Sequence, residues 1–141
     1  MFVTSNKAIA SYSKVGLETG VDGANPYHLI TMLLDGAVLS LARATQALKE
    51  NRIADKGREI SMAIDIISSG LQASLNPDAG GEIAGRLNSL YDYMCTRLLQ
   101  ANLHSDLAAI QEVSGLLGEI KAGWEEIAND PAVASRNKAA A

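Results

Sequence analysis

Cysteine is almost missing from this chain: Cys95 is the single one among 141 residues. No intrachain disulfide is therefore possible, and a lone thiol fits a reducing compartment. Proline is scarce, with three residues, and aromatic side chains make up only 4%. A basic excess is also missing. Twelve Lys and Arg stand against sixteen Asp and Glu, for a net charge of −4 and an isoelectric point near 5.1. Nucleic-acid binding rests on clustered cations that neutralise phosphates, so that function is excluded, and an anionic membrane surface is disfavoured for the same reason. No apolar run approaches the ~18 residues of a membrane span, because Asp35, Asp65 and Asp92 interrupt the best ones. The N-terminal stretch MFVTSNKAIASYSK lacks the apolar run of about 7–15 residues and the cleavage site of a secretory signal. No segment alternates with period two, which argues against strands.

What remains is aliphatic and periodic. The chain is 48% hydrophobic and 20% charged. One domain of about this length buries roughly 68–70% of its unfolded surface, enough for a core without metals or disulfides. A first helix is expected from Asn25-Pro26, where Asn can cap and Pro loses nothing at the first turn. Ile30, Leu33, Leu34, Ala37, Leu41, Ala44 and Leu48 then recur at helical spacing, and the pattern fades at Glu50-Asn51. A second runs from about Ala54 to Leu75 on Ile60, Ile64, Ile67, Leu71 and Leu75, and stops at Asn76-Pro77 with Gly80-Gly81 in the turn. A third spans about 81–103. A fourth starts after Ser105-Asp106, carries Leu107, Ile110, Val113, Leu117, Ile120, Trp124 and Ile127, and ends at Asp130-Pro131. Short connections favour antiparallel neighbours. The expected fold is all-α: an antiparallel up-down-up-down four-helix bundle over residues 25–130. Residues 1–24 form an N-terminal arm or short extra helix, and residues 131–141 a mobile tail.

The third helix has more apolar surface than a surface helix needs. At about 100° per residue, Ile83, Ala84, Leu87, Leu90, Tyr91, Met94, Cys95, Leu98, Leu99 and Ala101 cover an arc of roughly 180°. A stripe somewhat above about 100° is usual. Either the helix lies deep in the bundle, or part of its face waits for another chain. Helix one shows a smaller surplus, with Leu29, Met32 and Leu39 off its main stripe. In helix four, Gly115 and Gly118 lie with Ala122 opposite the Leu117–Trp124 stripe. Each interior glycine costs about 1 kcal/mol relative to alanine. They mark either close packing against a neighbouring helix or a shallow track for a partner.

Signs of catalysis are missing. A di-iron carboxylate bundle needs Glu-x-x-His on two helices, and the chain has none. His28 and His104 lack helical partners for a metal, and Cys95 reads as a small buried hydrophobe. Asp35, Asp65 and Asp92 point away from their stripes, as solvated carboxylates do. No Gly-x-Ser-x-Gly, phosphate loop or dinucleotide fingerprint occurs. The reading is a non-enzyme without cofactor or metal.

Several blocks together resemble the flagellar secretion chaperone family FliS. They are Leu-Tyr-Asp-Tyr-Met at 90–94, Arg-Leu-Leu at 97–99 and Gln-Ala-Asn at 100–102. Asn25-Pro26, Leu29-Ile30 and Met32–Ala37 are similar to the family's opening helix, except that Leu34 stands where an aromatic is usual. Lys56-Gly57 with Ala63–Ile67, Gly80–Ala84, Glu112-Val113, Leu116-Leu117 and Trp124 continue the resemblance over about residues 8–128.

The resemblance implies a cytosolic export chaperone with an antiparallel helical bundle and no catalytic activity or cofactor. It would bind the disordered C-terminal segment of flagellin, prevent premature polymerisation and assist delivery to the flagellar type III export apparatus. It could also meet an export-gate component and flagellar regulators. Candidate partner-binding residues are Ile9, Tyr12, Leu29, Met32, Tyr91, Leu98, Asn102, Gly115, Gly118 and Trp124. Ile9 and Tyr12 match apolar and aromatic positions ahead of the bundle, where an arm could cover the client groove. The other reading is a helical scaffold that associates with itself through the same apolar faces.

Overall fold

The computed structural model describes residues 26–130. The Asn25 cap, the arm of residues 1–24 with Ile9 and Tyr12, and the tail of residues 131–141 lie outside the described residues. Four helices follow one another: α1 (Pro26–Lys49), α2 (Ile53–Asp65, continued by a π-helical segment Ile66–Gln72), α3 (Pro77–His104) and α4 (Leu107–Ala128). No strand occurs among the described residues. Each helix packs on its neighbour in sequence, and α4 closes the ring against α1. This is the antiparallel all-α bundle that the periodicity predicts. Among the four, α1 is packed most fully and α3 least.

Local chemistry sets the boundaries. Past Lys49 the chain turns left-handed at Asn51, with φ 58°. Arg52 N then donates to Ala47 O at 2.8 Å, and Asn51 N to Leu48 O at 3.2 Å. This double closure satisfies carbonyls that a helix end leaves unpaired, and Asn tolerates the left-handed turn. Asn76 caps α3 by accepting from Asp78 N and Ala79 N at 3.1 and 3.2 Å, with Pro77 in the first turn. One helical turn later Gly81 takes φ 55° and ψ −127°. The sequence places Gly80-Gly81 in the turn before helix three. The structure shows a capped helical turn there, broken from the rest of α3 at Gly81. Ser105, with φ 50°, ends α3, and Asp106 caps α4 by accepting from Ala109 N at 3.3 Å.

The core is aliphatic. Leu34, Leu41, Ile60, Ile66, Ile67, Leu71, Met94, Leu98, Ile110, Val113 and Leu117 are its fully buried large side chains. The π segment is a feature that periodicity does not reveal. A π turn winds wider than an α turn. Both Ile66 and Ile67 are buried, and Gly70 and Leu71 follow them inward. Gly70 lies close to α1: a β-carbon on it would stand 3.1 and 3.3 Å from the two terminal methyls of Leu33, which would have to shift by a few tenths of an ångström. The absence of that β-carbon lets the segment lie close against α1.

Candidate functional site

Polar links tie the helices together at their edges. Lys56 on α2 is buried, and its Nζ donates to Asn102 O at 3.0 Å and Ser105 Oγ at 2.8 Å. The ammonium therefore sits on the C-terminal carbonyls of α3, where the helix dipole favours a cation. Gln72 Nε2 reaches from the π segment to Asn88 Oδ1 at 2.9 Å and Asp92 Oδ1 at 2.7 Å. Between α3 and α4, Glu112 accepts from Arg97 Nε at 2.7 Å and from Tyr93 OH at 2.8 Å. Hydrogen bonds from Arg97, then Tyr93, hold the Glu112 carboxyl below its usual range. On the other side, Lys121 of α4 pairs with Asp35 of α1 at 2.6 Å.

The candidate residues divide into three groups. Tyr91 and Leu98 correct the expectation of a partner surface, because both side chains are buried in the core. Burial alone pushes the Tyr91 hydroxyl up. Asn102 and Trp124 serve the fold. The Asn102 carbonyl takes the Lys56 ammonium. The Trp124 indole donates to Tyr27 O at 3.0 Å, with the two rings 5.0 Å apart. Leu29 and Met32 are half-buried. Gly115 and Gly118 are exposed, and a β-carbon at either would meet nothing within 4 Å. Close packing against a helix of this bundle does not explain them.

Exposed apolar side chains concentrate on α3. Ile83 is 70% exposed, Leu99 57% and Leu103 78%, and Tyr93, on the α4 side, is also exposed. Leu99 and Leu103 are four residues apart, so they share one side of the helix. On that side lie Asn88 and Asp92, which Gln72 of α2 reaches, so the pair flanks the α2–α3 seam. Ile53, 56% exposed, begins α2 at the same end of the bundle. The wide apolar arc of α3 mostly faces inward: Ala84, Tyr91, Met94, Leu98 and Ala101 are buried, Leu87, Leu90 and Cys95 pack against the core, and Ile83 and Leu99 are exposed. Leu103, Leu99 and Ile53 were not among the predicted site residues. The available signal was the i, i+4 pairing of leucines outside the core stripe.

Burial, then the Asp92 and Asp65 carboxylates, push the Cys95 thiol up to about 11. It stays protonated at neutral pH and is a poor nucleophile. Among the described residues, no three His, Cys, Asp or Glu come together as a metal-binding group. No helix among them is long and apolar enough to cross a membrane.

Fold and surface define a class: an antiparallel four-helix bundle that offers seams between its helices. The chain belongs to the flagellar protein FliS family, whose model matches residues 8–131. It is 49% identical over 119 residues to the flagellar secretion chaperone FliS of Salmonella typhimurium, covering 84% of this chain and 88% of that protein. The flagellar secretion chaperone FliSB of Pseudomonas aeruginosa is 43% identical over 123 residues, covering 87% and 97%. The Bacillus subtilis flagellar secretion chaperone FliS is 29% identical over 109 residues, covering 77% and 80%.

Proposed function

We propose that this chain is a cytoplasmic export chaperone that binds the disordered C-terminal segment of flagellin. It keeps that segment from polymerising early and assists its delivery to the flagellar type III export apparatus. Membership of a family whose relatives are named flagellar secretion chaperones, over most of the chain, carries this reading.

The physical properties support it. A disordered client cannot be held in one small pocket. Amphipathic segments lay their apolar faces into grooves between helices, and coupled folding typically buries ~1,000–3,000 Å². The exposed Leu99 and Leu103 beside the α2–α3 seam supply one such line. Half-buried Leu29 and Met32, with the 51% exposed Leu39, supply a second on α1. The bare backbone at Gly115 and Gly118 supplies a third, shallow track on α4. In this proposal Ile9 and Tyr12 belong to an arm that covers part of the client groove and is displaced on binding. An export-gate component and flagellar regulators are further partners. None of these steps needs a cofactor or a catalytic group.

Calorimetry and light scattering with a peptide of the flagellin C-terminal segment test the reading. The expected result is a one-to-one complex. Leu99→Glu with Leu103→Glu should weaken it about tenfold or more, since two anchor leucines are lost from a buried apolar contact. The helical circular dichroism should not change, because both side chains lie outside the core. Concentration-dependent homo-oligomers that ignore the peptide would instead identify a self-associating scaffold.

A further inference from the structure

The charge of the described helices is divided unevenly. Residues 43–59 hold five Lys and Arg against three Asp and Glu; with Lys56 buried and turned inward, the other charges of the stretch balance to +1. The rest of residues 26–130 hold three basic against eleven acidic residues, a balance of −8. The basic stretch is the corner where α1 turns into α2. A cleft of about 390 Å³ opens there, lined by Arg43, Gln46, Arg52, Asp55, Arg58 and Glu59.

The guanidiniums differ in their engagement. Arg52 bonds Glu50 through Nε and Asp55 through Nη1, each at 2.8 Å, and Arg58 also pairs with Asp55. These pairs hold the far wall of the cleft in place. Arg43 faces them from α1. It is exposed and has no ion-pair or hydrogen-bond partner among the described residues. Lys56 contributes nothing to the cleft, since it is turned inward onto Asn102 and Ser105. The corner thus presents a free, planar, permanently charged donor fork beside two others already fixed in place. Guanidinium forks match carboxylates with paired hydrogen bonds.

We propose that this corner is a docking site for an acidic peptide segment of a partner protein, with a carboxylate seated on Arg43. A carboxylate side chain is small enough for the cleft, and although Glu59 also lines it, the Arg43 guanidinium is complementary to a carboxylate. The surrounding field selects the size of the partner. A long polyanion such as RNA would lie along the −8 remainder of the bundle and be repelled, whereas a short acidic segment meets only the basic corner. The proposal does not require flagellin as client.

The test uses the full-length chain and a fluorescein-labelled hexaglutamate peptide, read by fluorescence anisotropy at low ionic strength, with no flagellin present. Binding should saturate, weaken with added salt as exposed charges are screened, and fall about tenfold in Arg43→Glu, as expected when a facing carboxylate meets like charge. Arg43 is exposed and makes no ion pair or hydrogen bond among the described residues, so its reversal should leave the fold intact, which circular dichroism checks. Arg86→Glu is the control. That arginine pairs only with Glu82, in the first part of α3, and its reversal should leave hexaglutamate affinity nearly unchanged. The proposal is overturned if no saturable binding occurs, if both reversals weaken binding equally, or if oligouridylate binds more tightly than hexaglutamate.

Discussion

Gly81 shows how much one residue can decide. Its φ of 55° and ψ of −127° separate the capped first turn of α3 from the long remainder. A side chain in that region collides with its own backbone, at a cost of about 1–3 kcal/mol. Space is not the obstacle, because a β-carbon at Gly81 would meet nothing within 4 Å. Gly81→Ala should therefore destabilise the bundle by about 1–3 kcal/mol through backbone strain alone. Urea denaturation measures it, and an unchanged midpoint would show that the kink can straighten freely. Gly70 is the opposite case, ordinary in backbone angles but pressed against Leu33. Lys56 adds a third kind of decision. Nothing in its spacing separates it from the solvated lysines, yet it is buried as the cap of another helix.

At the scale of the element, helix formation and function pull apart on α4. Gly115 and Gly118 weaken a helix whose core stripe, Ile110, Val113 and Leu117, is fully buried. With open space at both positions, Gly115→Ala and Gly118→Ala should each stabilise the free protein by about 0.5–1 kcal/mol. Thermal denaturation reads the gain, and the two should add. A loss of stability would mean that something already occupies this face. On α3 the apolar arc was legible as an excess over what one core needs. Its division between Leu98, inside, and Leu99, outside, was not. A helical wheel gives the angle between two side chains but not the direction in which a neighbouring helix stands. The π segment was invisible for a related reason. Ile66, Ile67, Gly70 and Leu71 satisfy an α-helical stripe almost as well as a π one. What the tertiary structure adds is the close approach of Gly70 in this segment to Leu33 of α1.

For the whole molecule, stability depends on links between helices as well as on the core, and one of them responds to pH. Glu112 on α4 is held below the usual carboxylate range by Arg97, then Tyr93, both on α3. A carboxyl depressed in the folded state contributes stability that is fully present above its unfolded pKa and is lost as pH falls through the folded value. Glu112→Gln should thus be less stable than the wild type at neutral pH, and the gap should close in acid. Chemical denaturation at a series of pH values from about 7 to about 3 follows it. A constant gap across that range would assign the loss to packing instead of charge. Arg97 and Glu112 are exposed enough that the effect should also shrink in high salt.

The sequence alone determined the number of helices, their approximate limits and the family. Those properties are written in local signals: Asn76 before Pro77, Asp106 ahead of an apolar stripe, the glycine pair at 80–81, and the ordered blocks from Asn25-Pro26 to Trp124. Each acts within a turn or two of chain, so one-dimensional order suffices to read it. Only the tertiary structure decided which leucines stay outside, that Lys56 turns inward, and that three arginines share one corner. These depend on how four helices are rotated against one another. That rotation is set by packing all the side chains at once, and no single segment contains it.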